Sequence, residues 1–455
     1  MKFDVIRKEL NAGRKIRRVL LRPFAEFTKL QASGSILLIL GAVVAIIWAN
    51  SPASSSYFAL WKTYFTIGTG DNQISLSLDH WVNDLFMALF FLLVGLEIKR
   101  ELLVGELAST KRAALPIAAA IGGMLVPALI YLSFNTGSGH SRGWAIPMAT
   151  DIAFSLGVLA LLGTKVPIVL KVFLAALAIV DDLGAVLVIA LFYTSEVNVV
   201  ALAWAGAIFA FLILINWMGV RRLGYYMVAG ALLWFAILFS GLHATIAGVL
   251  LAFTIPAWVK LDAPQFFSRA KHVLQKAERI ENAHPDERIS EHGQHSIQEL
   301  EQACEDVQMP LQRLEHFLHP YVTYGIVPLF ALANSGLVLP SNFGEALTHP
   351  IALGSSMGLI FGKCFGIFLF SYLAVRLKLA ELPQGINWQH IFGVAFVAGI
   401  GFTMSLFIGT LAFGEGANLN LAKVGIFTGS LIAGTLGAII LSRVKPRTFQ
   451  SKQKL

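Results

Sequence analysis

A chain that repeatedly runs through some twenty apolar residues can satisfy its backbone in lipid in one way, by closing each run into a helix. This chain does so about twelve times. The runs lie near 34–50, 81–98, 114–134, 144–162, 169–193, 199–217, 224–239, 242–258, 318–338, 350–375, 390–413 and 424–442. Charged residues make up only 14% of the sequence and hydrophobic ones 56%, whereas soluble domains run at roughly 25% charged. The expectation is an all-α polytopic membrane protein with about twelve transmembrane helices.

The net charge of +8 suggests nucleic acid only until the charges are placed. Of the 35 Lys and Arg, 31 fall in the two termini and in or at the edges of alternate loops. The opposite loops hold only Lys62, Arg142 and Lys423, and Lys363 lies inside a run. This bias puts both termini in the cytoplasm, with membrane lipid as the partner and no nucleic acid. The organisation is then a basic arm over 1–33, helices one to eight over 34–258, a cytoplasmic segment over 259–317, helices nine to twelve over 318–442 and a tail over 443–455. Ile16, Val19, Leu20, Phe24 and Phe27 among the basic residues suit either an arm lying on the anionic inner leaflet or a solvated basic tail that orients insertion.

Two polar segments interrupt this pattern. Within 57–80, Gly70-Asp-Asn between alternating residues reads as a β-hairpin on the outer, periplasmic face. Its strands offer a homodimer contact through pairing. On the cytoplasmic side, Ile297, Leu300, Cys304, Val307, Leu311, Leu314 and Leu318 follow three- and four-residue steps, an amphipathic helix. Pro310 kinks that helix or opens a second one at its first position.

The chemistry sits inside the runs. Asp181 and Asp182 are adjacent in a stretch from Val169 to Tyr193 whose one other charge is Lys171. Carboxylates at that depth cost upward of ~2.5 kcal/mol each and mark function. Close together in low dielectric they titrate as a unit, and a small hard cation suits their oxygens. Competition between one cation and two protons for the same pair is an electrogenic exchange. In the fourth run Pro147 and Asp151 predict a helix broken near Thr150. In the eleventh, Gly399 and Gly401 weaken the helix while Thr403 and Ser405 satisfy loose carbonyls. The tenth carries glycines 354, 358, 362 and 366, a bare stripe for close packing. Beside it, Lys363 needs a carboxylate from among Asp151, Asp181, Asp182 and Asp84, with Asp182 or Asp181 the economical partner. At the cytoplasmic end of the second run Glu97 and Glu101 share a face near Arg100. With His316 and His319 they form a titrating group or an ordinary solvated charge belt. His243 reads as structural.

These segments resemble the NhaA-type sodium/proton antiporters. The likeness rests on Trp81-Val-Asn-Asp through Gly95-Leu-Glu-Ile-Lys-Arg-Glu, Pro147-Met-Ala-Thr-Asp, Leu177-Ala-Ile-Val-Asp-Asp-Leu-Gly and Gly399-Ile-Gly-Phe-Thr-Met-Ser. It runs from about residue 30 to 442, apart from the insert near 262–310, which is longer than the family pattern. The family is itself a standing example of inverted repeats with unwound, crossing helices, so that architecture is an implication of the resemblance. It further implies a bacterial inner-membrane homodimer that expels Na⁺ or Li⁺ as H⁺ enters, activated at alkaline pH, with no resident cofactor. Carried over by motif, Asp181 and Asp182 bind Na⁺ and carry protons. Asp151, Thr150 and Lys363 support the site and Asp84 lines the path. Glu97, Glu101, His243, Glu315 and the adjoining His316 serve the pH response.

Three rivals remain open in the sequence, one of them a non-transporting pH sensor resting only on the histidine-rich segment 262–316. A sodium-coupled symporter would share the architecture. An intramembrane aspartyl protease needs carboxylates facing each other from separate helices, whereas Asp181 and Asp182 point about 100° apart on one helix.

Overall fold

The computed structural model describes residues 33–69, 72–137, 139–194, 197–283 and 291–444. The basic arm, the hairpin tip at 70–71 and the tail beyond 444 lie outside them. The chain begins with α1 (Ser33–Ala49), bent 119° from α2 (Ser54–Trp61). Strands β1 (Tyr64–Thr69) and β2 (Asn72–Ser77) follow, then α3 (Leu78–His80), a π-turn and α4 (Met87–Val104). Next come α5 (Thr110–Asn135), α6 (Ile152–Leu161), α7 (Ile168–Phe192), α8 (Val199–Trp217), α9 (Leu223–Leu238) and α10 (Ile246–Thr254). Helices α11 (Ala263–Ala283) and α12 (Glu291–Val307) lie in the polar segment over 259–317. The remainder is α13 (Pro310–Tyr321), α14 (Val327–Asn334), α15 (Phe343–Thr348), α16 (Pro350–Met357), α17 (Lys363–Arg376), α18 (Trp388–Val397), α19 (Phe402–Phe413) and α20 (Ala417–Arg443).

Every apolar run of the sequence contains helix, though the eighth, 242–258, is helical only over Ile246–Thr254. Among the described residues seven helices are long and apolar enough to cross a membrane, and nine if each bent pair counts as one. The α9 run is a shorter apolar helix. The hairpin is real and antiparallel, with Tyr64 opposite Ser77 and Thr69 opposite Asn72. Thr66 and Ser75 join across it by a hydroxyl bond of 2.8 Å. The Trp81 indole donates to the Phe65 carbonyl at 3.2 Å and fixes the hairpin to the start of the next span.

The helices sort into two packed groups. In one, α5 lies along α17 and also meets α7 and α16, while α20 closes on α16, α18 and α19. In the other, α4 packs on α10 and α13, and α8 on α9. The groups touch chiefly where α4 meets α7 and α14 meets α19. The glycine stripe explains the closest of these contacts. A Cβ on Gly366 would stand 2.1 Å from the Gly122 carbonyl oxygen, and one on Gly362 would stand 2.6 Å from the Pro127 Cα. Only bare backbone fits there.

The polar segment over 259–317 is a helical pair, α11 against α12, with Pro310 opening α13 at its first turn as one of the two sequence alternatives required. Asp306 anchors its end. Its carboxylate faces Lys260 at 3.3 Å, and Arg221 and Arg269 at 3.8 Å each.

Candidate ion-binding site

Two helix breaks meet inside the first group. The fourth run is a 3₁₀ segment, Ser141–Met148, that leaves the helix at Ala149 and resumes as α6. The eleventh is α18 and α19, bent 49° across residues 398–401. A break at membrane depth frees backbone groups that no water can reach, so each must find a protein partner. They do so reciprocally. Ser155 Oγ donates to the Val397 carbonyl at 3.1 Å, and Ser405 Oγ donates to the Ile146 carbonyl at 2.7 Å. The Asp151 amide donates to Ile400 O at 2.7 Å, and Thr150 Oγ1 to Ala398 O at 2.9 Å. Ser430 on α20 accepts from the Gly401 and Phe402 amides, each at 3.3 Å.

Asp151 holds the N-terminal ends of both half-helices. Its Oδ1 accepts from the Phe154 amide at 2.9 Å, while its Oδ2 accepts from the Thr403 amide at 3.0 Å and the Thr403 hydroxyl at 2.5 Å. Two positive helix ends converge on one carboxylate, which compensates its burial. Thr403 thus serves Asp151 rather than a loose carbonyl, the partner expected for it. The Thr150 hydroxyl shares its one proton between the Ala398 carbonyl and Asp181 Oδ2, 2.7 Å away, tying the crossing to α7.

Lys363 pairs with Asp181, through the same Oδ2. That settles a choice the sequence left open among several carboxylates. Thr150, Asp151, Asp181, Asp182 and Lys363 are all between 0 and 2% exposed. Asp182 differs from the rest. Among the described residues neither of its oxygens has a hydrogen-bond partner, and Asp181 Oδ1 has none either. Asp182 lines a small cavity of about 50 Å³ together with Asp151, Glu97, Thr403 and Met404. That volume is of the order of one water, at ~30 Å³ each.

Glu97 connects this cavity to a charged layer further along α4. Arg100 pairs with Glu315 of α13 and lies 3.2 Å from Glu101, whose other oxygen accepts from the Glu106 amide at 2.9 Å. Burial pushes the Glu315 carboxyl above the usual range, with the Arg100 guanidinium opposing it. His316 is exposed beside it. Two others stand apart from the cavity's lining. His243 Nε2 is bound to the Tyr193 carbonyl at 2.8 Å, in keeping with a structural role. Asp84 sits in the π-turn Trp81–Phe86, ~20 Å along the helix from Glu97. Sequence reasoning missed Ser155 and Ser430. Ser155 had a signal, since a hydroxyl one turn past the break is placed to reach freed backbone. Ser430, in the middle of α20, had none.

Discontinuous helices meeting beside buried, partly unpartnered carboxylates define the class as a membrane ion transporter. A family model described as Na⁺/H⁺ antiporter 1 matches residues 25–441. The Na⁺/H⁺ antiporter NhaA of Oleidesulfovibrio alaskensis is 49% identical over 425 residues, 93% of this chain and 94% of the relative. That of Koribacter versatilis is 48% identical, covering 93% and 92%, and that of Helicobacter pylori strain 26695 is 45% identical, covering 94% and 96%. The chain belongs to the Na⁺/H⁺ antiporter 1 family. Matches of this length extend into the 259–317 segment, so it is less foreign to these relatives than the sequence pattern suggested. They lend no support to the symporter alternative.

Proposed function

We propose that this chain is an electrogenic antiporter, expelling Na⁺ or Li⁺ in exchange for two incoming protons at Asp181 and Asp182. The carrying observation is Asp182, a buried carboxyl with both oxygens unpartnered, next to an Asp181 that keeps one oxygen unpartnered. A cation between them gains oxygen ligands that the protein leaves unused. It also competes with the Lys363 ammonium for Asp181. Protons reclaim the same oxygens, so cation and protons occupy the pair alternately. Asp151 and Thr150 hold the crossing, Asp84 lines the path from the outer face, and Glu97, Glu101, Glu315 and His316 tune the cytoplasmic entry to pH. For His243 its backbone bond favours a structural part over a sensing one.

The finer architecture belongs to the same reading. Twelve spans follow from the apolar runs, both ends in the cytoplasm from the Lys and Arg distribution, and a bacterial inner membrane from the family resemblance. The reciprocal serine bonds across the two breaks support a pair of inverted repeats. The hairpin over 57–80 pairs two copies of the chain, with Tyr64 and Phe65 exposed on it to do so. The domain limits are those read from the sequence.

The test is proton flux in everted membrane vesicles on adding NaCl, from mildly acidic to alkaline pH. The wild type is expected to alkalinise the vesicle interior, and Asp181→Asn and Asp182→Asn to abolish the response. Wild-type vesicles silent at every pH would sink the exchange reading.

A further inference from the structure

A second cavity lies away from the carboxylates, where α7 begins. It measures about 590 Å³ and is walled by Val169, Val172, Phe173 and Ala176 of α7 and by Leu115 of α5. Its rim carries charge: Lys111, Arg112 and Lys378 against Glu106 and Glu381. Arg112 and Glu106 already pair at 3.5 Å. Lys111, Lys378 and Glu381 have no ion-pair partner among the described residues. The rim therefore keeps one positive charge in excess.

The turn that carries Lys378 is built in an unusual way. Lys378 is the one non-glycine residue with positive φ, 59°, among the described residues, a conformation that L side chains rarely adopt. It is held by amide bonds from Leu379 and Ala380 to the Ala374 carbonyl, at 2.9 and 3.2 Å. On either side of it Leu377 and Leu379 are 66% and 67% exposed. Leucines bare on both sides of a lysine suit neither water nor the hydrocarbon core, but they suit the boundary between the two. The apolar wall descends from that boundary for ~10 Å along α7, from Val169 to Ala176, within the ~15 Å of one leaflet.

We propose that this cleft binds one anionic phospholipid of the leaflet on the Lys- and Arg-rich side. The phosphodiester lies between Lys111 and Lys378, and one acyl chain lies on the α7 wall. A single excess positive charge matches a single phosphodiester, and the wall gives the chain what a soluble phosphate would leave uncovered. The proposal rests on the membrane orientation given above. Its consequence reaches the ion site. Asp181 stands five residues beyond Ala176 on the same helix, so a bound lipid braces α7 against α5 and the 377–384 turn.

The test uses the full-length protein in detergent and does not depend on transport, so its failure is distinct from failure of the exchange reading. Thermal unfolding midpoints are compared with added phosphatidylglycerol, phosphatidylcholine or glycerol phosphate. Phosphatidylglycerol is expected to raise the midpoint well above the other two. Lys111→Ala with Lys378→Ala should lose more than half of that rise, and the double Lys→Arg variant should keep it. Val172→Trp, which fills the wall and leaves the rim intact, should lose it too. An equal rise with phosphatidylcholine or glycerol phosphate would overturn the proposal. So would a rise undiminished in the double alanine variant or in Val172→Trp.

Discussion

Substituting Gly366 by alanine sets two effects of opposite sign against each other, and the structure decides between them. In a helix interior alanine is favoured over glycine by roughly 0.5–1 kcal/mol. Against this, the new Cβ would lie 2.1 Å from the Gly122 carbonyl oxygen and 2.7 Å from its carbon, both rigid backbone. Ordinary contact begins at 3.4 Å, so α17 must withdraw from α5 by about 1 Å. Overpacking of that kind costs ~1–3 kcal/mol, and the net expectation is a loss of up to ~2 kcal/mol. Lys363 lies three residues earlier on α17 and moves with it, drawing its ammonium from Asp181. A misplacement near 1 Å can cost ~10²-fold in rate. Gly206 of α8 is the control, because a Cβ there meets nothing within 4 Å. Gly206→Ala should leave transport untouched and stabilise by up to ~1 kcal/mol. The assays are thermal unfolding of the purified protein and sodium-driven proton flux in vesicles. Wild-type stability and flux in Gly366→Ala would refute the claim that backbone contact at this stripe positions the lysine.

Lys363→Met leaves Asp181 a buried charge without its cation and should cost ~3–5 kcal/mol, read as a lowered melting temperature. Adding Asp181→Asn to it should restore much of the loss, and a double variant no better than the single would contradict the pairing. Asp182→Asn removes a carboxylate with no partner to lose, so stability should hold or rise while exchange disappears. Glu315 has its carboxyl raised by burial, so it stays protonated to higher pH than an ordinary glutamate. As pH climbs above the usual glutamate range it ionises, and its ion pair with Arg100 forms. Glu315→Gln mimics the protonated form and should move half-maximal activation to higher pH, and an unmoved pH profile would count against that role.

Much of this was legible because the bilayer removes ambiguity. Asp181, Asp182, Asp151 and Lys363 announced themselves by their cost at membrane depth, and Pro147, Gly399 and Gly401 announced the breaks. What the sequence could not supply was pairing across distance. Lys363 had several candidate carboxylates, and only the packing of α17 on α5 selects Asp181. Thr403 was read as a carbonyl's partner because its neighbour in space, Asp151, is remote in sequence. Serines such as Ser430 are common in membrane helices, and nothing local distinguishes one that caps a broken helix. The 259–317 segment showed its periodicity, but its docking through Asp306 depends on Arg221, which belongs to a different loop.

The reciprocal serine bonds also bear on how the protein is made. Ser155 answers Val397 and Ser405 answers Ile146, partners separated by 242 and 259 residues. At ~5–20 residues per second of synthesis, the fourth span waits roughly 10–50 s for the stretch that closes its open backbone. During that interval its broken helix must be sheltered by the translocation machinery or remain only partly inserted. The ion site is therefore among the last parts of the protein to assemble. Chains that stop short of residue 405 should be recognised by quality-control proteases through that exposed fourth span, whatever the condition of the helices made before it.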